Sequence, residues 1–147
     1  MLIATKGDYG VRAMIDMARL NTGNPIARSA IATRRQIPEA YLDQLLGLLR
    51  RAGFIKSVRG PGGGHSLAVD PKDITLFALL ETLEGSLSPM ANLDQDEASA
   101  ANDATGQRWV WQGIYDDMKV RLRSISLHDL AEAEQRAEET AAPRYLI

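Results

Sequence analysis

The chain has 147 residues, 45% of them apolar and 24% charged, which suits one globular unit with its own core and excludes wholesale disorder. It contains no cysteine, which rules out disulfides, thiolate catalysis and every cysteine-ligated metal or cluster. The net charge of −2 hides an asymmetry: residues 1–70 hold 10 Lys+Arg against 5 Asp+Glu, net +5, and the remainder is net −7. The basic half suggests a polyanionic partner and the acidic half a different task. No apolar run approaches the roughly 18 residues of a membrane span and no signal-peptide pattern opens the chain, so a soluble cytoplasmic protein without a membrane role is expected.

Thr5, with Asp8 three residues on, is expected to cap a first helix. Val11, Met14, Ile15 and Ala18 recur at i, i+3, i+4 and i+7 along it, and Gly23 is expected to close it. After Asn24-Pro25 a short helix around Ser29 to Arg35 precedes a longer one beginning near Pro38, which suits a first helical position. Leu42, Leu45, Leu46 and Leu49 give this helix a buried stripe, leaving Glu39, Ala40, Asp43, Gln44, Gly47 and Arg50 outward. Two helices joined by a tight turn form a helix-turn-helix pattern, a weak signal by itself.

Gly53 ends that helix, and residues 54–59 and 66–69 read as two strands joined by Gly60-Pro61-Gly62-Gly63-Gly64. A hairpin tip with so few side chains lets its backbone approach another surface closely. With Lys56, Arg59 and His65 beside it, the hairpin reads as a wing for a nucleic-acid groove. A phosphate loop for a nucleotide is the competing reading, but no Lys-Ser/Thr follows the glycines and a strand, not a helix, comes next.

Asp70-Pro71 ends the second strand, and Leu76, Leu79, Leu80 and Leu83 mark a helix that stops at Gly85. Residues 86–107 hold no Lys or Arg and four acids, a composition that favours a disordered acidic loop over an ordered one. From Trp109 to Ile125 the residues Trp111, Ile114, Tyr115, Met118, Leu122 and Ile125 trace one helical face. Its partner is either the first helix of the same chain or the same helix of a second subunit. Trp109 and Trp111 cannot share a face, so one is expected to be buried and the other exposed. Ser126 and Asp129 begin a last, largely solvated helix to about Thr140, and a frayed tail follows.

These residues resemble the Rrf-two family of winged helix-turn-helix transcription regulators, a group that includes iron–sulfur-cluster and nitric-oxide sensors. The resemblance rests on Thr5-Lys6-Gly7-Asp8-Tyr9-Gly10-Val11-Arg12-Ala13-Met14, on Tyr41-Leu42-Asp43-Gln44-Leu45-Leu46 and on Val58-Arg59-Gly60-Pro61-Gly62-Gly63-Gly64. Ile125-Ser126-Leu127-His128-Asp129-Leu130 matches the passage out of the family's dimerisation helix, and coverage runs from Leu2 to about Glu134. The fold expected is mostly α with a small β-hairpin wing: a winged helix-turn-helix domain over 1–85, a loop over 86–107, a dimerisation helix and terminal helix over 108–140, and a tail.

The resemblance implies a DNA-binding homodimer whose long helices cross between subunits, with the second helix of the motif in the major groove and the wing in the minor groove. By position Ala40, Tyr41, Asp43 and Gln44 face the major groove, and Arg59 and Gly60 the minor groove, with Pro61, Gly62 and Gly63 completing the tip. Gln pairs bidentately with adenine, a carboxylate accepts from cytosine N4, and Arg is drawn to a narrow minor groove. Ser29, Arg34, Arg35, Arg50, Arg51 and Lys56 are candidate phosphate contacts. Trp111, Ile114, Tyr115, Met118, Leu122 and Ile125 are the expected dimer face. Tyr41 either stacks on DNA or staples its helix to a neighbour; His65 either contacts DNA or is simply exposed; Arg50-Arg51 are either DNA contacts or a charge pair at a helix end. His128 reads as a surface or interface residue.

Many family members carry three cysteines in the segment matching 86–107, where they ligate an iron–sulfur cluster. Here Ala91, Ala98 and Ala104 fall at similar spacings, as in a cysteine-to-alanine variant or a natural cysteine-free branch; no cofactor is expected in this chain, and an iron–sulfur cluster sensor is expected only if the native sequence has cysteines at those positions. No residue set supports catalysis. The primary reading is a repressor binding a partly palindromic operator; the alternatives are a regulator controlled by a docked metabolic enzyme and a small-ligand sensor with a pocket near Trp109 or Trp111.

Overall fold

A computed structural model describes residues 2–91, 93–94 and 106–141. Its elements are α1 (Thr5–Arg19), α2 (Arg28–Arg35), α3 (Glu39–Arg51), β1 (Ile55–Val58), β2 (Gly64–Leu67), a short 3-10 turn (Pro71–Asp73), α4 (Leu76–Glu84), α5 (Gln107–Arg123) and α6 (Leu127–Ala141). The helices predicted from apolar spacing are all present, with ends shifted by a few residues.

The leucine stripe of α3 carries the core. Leu42, Leu45, Leu46 and Leu49 are buried against Ala13, Met14 and Met17 of α1, Ile31 of α2, Ile55 and Leu67 of the hairpin, and Leu79 and Leu83 of α4. Truncating one such leucine to alanine typically costs about 2–5 kcal/mol. The other side of α4 builds a second cluster, in which Phe77 and Leu80 meet Leu87, Leu93, Tyr115 and Leu122. α4 therefore joins the helix-turn-helix unit to α5.

Thr5 is not the cap of α1. The helix starts at Thr5 itself, with Ala4 at the cap position and no local side-chain cap. Glu84, at the end of α4, supplies the acceptor: its Oε1 takes hydrogen bonds from the backbone N–H of Ala4 at 2.9 Å and of Gly7 at 2.8 Å. Asp8 turns outward to Arg12 instead. The helix also ends earlier than Gly23, at Arg19. By contrast, Ser126 and Asp129 form the expected reciprocal box at the start of α6, each side chain accepting from the other's backbone N–H at 3.0 and 2.9 Å.

The hairpin is antiparallel, pairing Ile55 with Leu67 and Val58 with Gly64. The second strand begins two residues earlier than expected because Gly64 itself pairs with Val58, leaving Arg59–Gly63 as the tip. Ile26 and His65 exchange both backbone bonds at 2.8 Å, an isolated antiparallel bridge on the open side of β2. A side chain at Gly64 would collide with the Ile26 carbonyl, so this close approach requires glycine.

The start of the supposed disordered loop is packed: Leu87 and Leu93 are buried against Tyr115. Residues 95–105 lie outside the described part of the chain. Among the described residues no helix is long and apolar enough to cross a membrane.

Candidate nucleic-acid interface

α3 presents its start and one flank outward. Ala40, Asp43, Gln44, Arg50 and Arg51 are exposed, while Tyr41 is half-buried. Tyr41 meets Tyr9 of α1 edge-on, with ring centroids 5.9 Å apart, so the staple between helices is realised in the structure. Beside this flank runs an open groove of about 470 Å³ whose lining includes Lys6, Gln44, Arg50, Arg51 and His65. Lys6 was not singled out from sequence. It lies far along the chain, and only the packing of α1 on α3 brings it here, so no local pattern could have found it.

The wing follows directly. Lys56, Arg59, Gly60, Pro61 and Gly62 are exposed, with Gly63 half-buried. Gly60 and Gly62 adopt φ of 91° and 74°, which a side chain would strain. His65 Nδ1 lies 2.8 Å from Ser57 Oγ across the hairpin. Partial burial, together with the charges of Arg28 and Arg50, holds the His65 imidazole below its ordinary value, with Asp43 opposing. Ser29 is exposed in the first turn of α2.

The ion pairs sort the cations of the basic half. Arg28 is held by Asp43 at 2.7 Å and Glu39 at 3.3 Å, so Asp43 meets a cation of its own chain. Arg12 pairs with Asp8, and Arg19 with Glu134 and Glu138. Arg34 grips Asp16 through two bonds at 3.1 and 2.8 Å, and Arg35 bonds both Asp16 and Glu134. Asp16 is only 2% exposed, so these arginines neutralise a buried carboxylate. That is a structural occupation for both: Arg35 is largely withdrawn from water, whereas the Arg34 side chain remains 42% exposed beside its ion pair. Among the described residues of this half, Lys6, Arg50, Arg51, Lys56 and Arg59 are the cations with no acid partner. All of them lie on the groove, the end of α3 or the wing.

α5 divides the expected dimer stripe. Tyr115 and Leu122 are buried against α4 of the same chain, with Met118 packed alongside and Ile125 half-buried; the main intrachain partner is α4, and α1 reaches this cluster only through Val11. Trp111 and Ile114 stay exposed, together with Val110 and Val120. Both tryptophans are open, Trp109 at 81% and Trp111 at 36%, against the expectation that one would be buried. His128 sits 3.1 Å from Glu132 on α6.

This arrangement of three helices and a glycine-tipped hairpin, with α5 and α6 appended, is that of a winged helix-turn-helix regulator. A family profile described as "Iron-dependent Transcriptional regulator", that of the Rrf-two (Rrf2) family, matches residues 3–133, and the chain belongs to that family. It is a transcriptional regulator and not an enzyme, and DNA binding follows from the family. The regulator CymR of Bacillus subtilis is 38% identical over 140 residues, covering 93% of this chain and 96% of the relative. IscR of Cereibacter sphaeroides is 33% identical over 144 residues, covering 92% and 90%. The solved structure of B. subtilis CymR matches with a TM-score of 0.73 at 36% identity, covering 90% of this chain and 98% of that one. That of T. potens IscR gives 0.72 at 36% identity, covering 93% and 90%.

The family's iron link does not fit this chain's donors as a cysteine-held cluster. None of the 147 residues is a cysteine, and the described residues contain no group of three His, Cys, Asp or Glu able to hold a metal. Ala91 offers only a methyl group; Ala98 and Ala104 lie outside the described residues.

Proposed function

We propose that this chain acts as a homodimeric repressor that places α3 in the major groove and the wing in the minor groove of a partly palindromic operator. One observation carries the reading: the acid-free cations of the basic half cluster on the groove, the end of α3 and the wing. Charges spent inside a protein leave little field for a ligand, whereas unpaired cations displace counterions from DNA on binding. Gln44, exposed on α3, is suited to adenine, and Arg59 with the glycine tip is suited to a narrow minor groove. Ala40 and Tyr41 border the same face, and Asp43 acts there in concert with Arg28. Lys6, Arg50, Arg51 and Lys56 contact phosphate, with Ser29 at the start of α2. Arg34 and Arg35 leave the phosphate set. The exposed residues of α5, Val110, Ile114 and Val120 with Trp111, supply the apolar surface for a second subunit.

Fluorescence anisotropy with duplex DNA across a salt series tests this. Affinity falls steeply as salt rises, with a log–log slope of about −0.9 per phosphate contacted. Arg59→Ala weakens binding and leaves dimerisation unchanged. Undiminished binding by that variant removes the wing from the interface.

A further inference from the structure

The ion pairs of Arg34 and Arg35 run on into a longer chain. Arg34 binds Asp16, Asp16 binds Arg35, Arg35 binds Glu134, Glu134 binds Arg19, and Arg19 binds Glu138. It alternates between α2, α1 and α6, and cation and anion alternate along it. The link between Arg35 and Glu134 is close: Arg35 Nη1 donates to both carboxylate oxygens, at 2.7 and 2.8 Å. Both side chains are largely withdrawn from water, at 16% and 27% exposed, where a hydrogen-bonded pair counts for more than one on an open surface.

Arg35 is also the last residue of α2. Gln36 follows in the left-handed conformation, with φ of 54°, and makes the turn into α3. The N–H groups of both Gln36 and Ile37 bond the Ala32 carbonyl. The carboxylate on α6 thus grips the side chain next to the turn that aims the recognition helix. Apolar burial on α6 is concentrated before this point: its one fully buried residue is Leu127, in its first turn, and Leu130 and Ala131 are half-buried.

We infer that Glu134 is a positioning residue for the recognition helix, acting through Arg35 at the helix-turn-helix turn. It touches no DNA in this scheme; the C-terminal helix sets the angle at which α3 is offered. The inference rests on the DNA-binding reading above for its functional meaning, but its physical content is visible without DNA.

The test uses the full chain and two variants, Glu134→Gln, which keeps the shape and removes the charge, and Glu134→Ala, alongside Arg35→Ala and the double variant Arg35→Ala/Glu134→Gln. Amide hydrogen exchange at Gln36 and Ile37 is measured without DNA. Affinity is measured for a duplex selected from a random pool by the unaltered protein and for a scrambled duplex. Exchange at the two amides quickens about three- to tenfold in each Glu134 variant, the size of effect expected for losing one coupled pair. Affinity for the selected duplex falls by a similar factor, while that for scrambled duplex does not fall and the salt slope is unchanged. The double variant is no weaker than Arg35→Ala. Exchange rates within twofold of the unaltered protein in both Glu134 variants overturn the inference, as does an equal loss on selected and scrambled duplexes. If the unaltered chain selects no duplex, the DNA-binding reading fails, and the exchange measurement still decides the coupling.

Discussion

Ile26 and His65 exchange both of their backbone hydrogen bonds at 2.8 Å, so the wing is tied to the segment that leads into α2. Gly64 lies against this junction with φ of 152° and no room for a side chain beside the Ile26 carbonyl. Gly64→Ala is therefore expected to destabilise the fold by about 2–3 kcal/mol, combining backbone strain with a displaced bond pair. Chemical denaturation measures this, and loss of DNA affinity beyond the stability change reports a wing that has moved.

Glu84 supplies the cap that α1 lacks locally. Glu84→Ala removes the shared acceptor for Ala4 and Gly7 and is expected to cost about 1–2 kcal/mol. A thermal melt reads the loss directly. Thr5→Ala, in contrast, leaves the melt nearly unchanged, because Thr5 makes no cap bond.

His65 is held below its ordinary 6.5 mainly by burial, then by the charges of Arg28 and Arg50. The folded chain thus takes up this proton at lower pH than the unfolded chain. The associated stability is complete above the unfolded value and is lost as pH falls through the depressed folded one. Stability measured by denaturant from pH 8 down to pH 5 is expected to drop more steeply for the unaltered protein than for His65→Gln. Parallel curves would show that His65 is not the titrating group.

Ile114 stands 48% exposed on α5 although its neighbour Tyr115 is buried against α4. Ile114→Glu leaves the intrachain cluster alone and places a charge in the proposed subunit contact. Sedimentation is expected to show a monomer, with circular dichroism unchanged and DNA affinity much reduced. A variant that remains dimeric moves the subunit contact elsewhere.

Much of the winged helix-turn-helix unit was legible because its signals are local. Four leucines at helical spacing define α3, and a run of glycines can hardly be anything other than a tight tip. The capping of α1 was not legible, because Glu84 lies about eighty residues from the N–H groups it accepts from. The role of Arg34 and Arg35 was hidden for a related reason: basic side chains at the end of a short helix look alike whether they face phosphate or a buried Asp16. The stripe on α5 announced an apolar face but not its owner, and packing on α4 claimed Tyr115 and Leu122 while leaving Ile114.

The separation of spent from unspent cations has a kinetic consequence. Lys6, Arg50, Arg51, Lys56 and Arg59 have no acid partner to give up among the described residues, so an approaching polyanion meets a field already aimed outward. Encounter under such a field is quick and weakens with ionic strength. On the proposed reading, the lifetime of the complex would then rest on the contacts made afterwards by the exposed start of α3, so neutralising Lys6, Lys56 or Arg59 would slow the search more than it altered the choice of sequence.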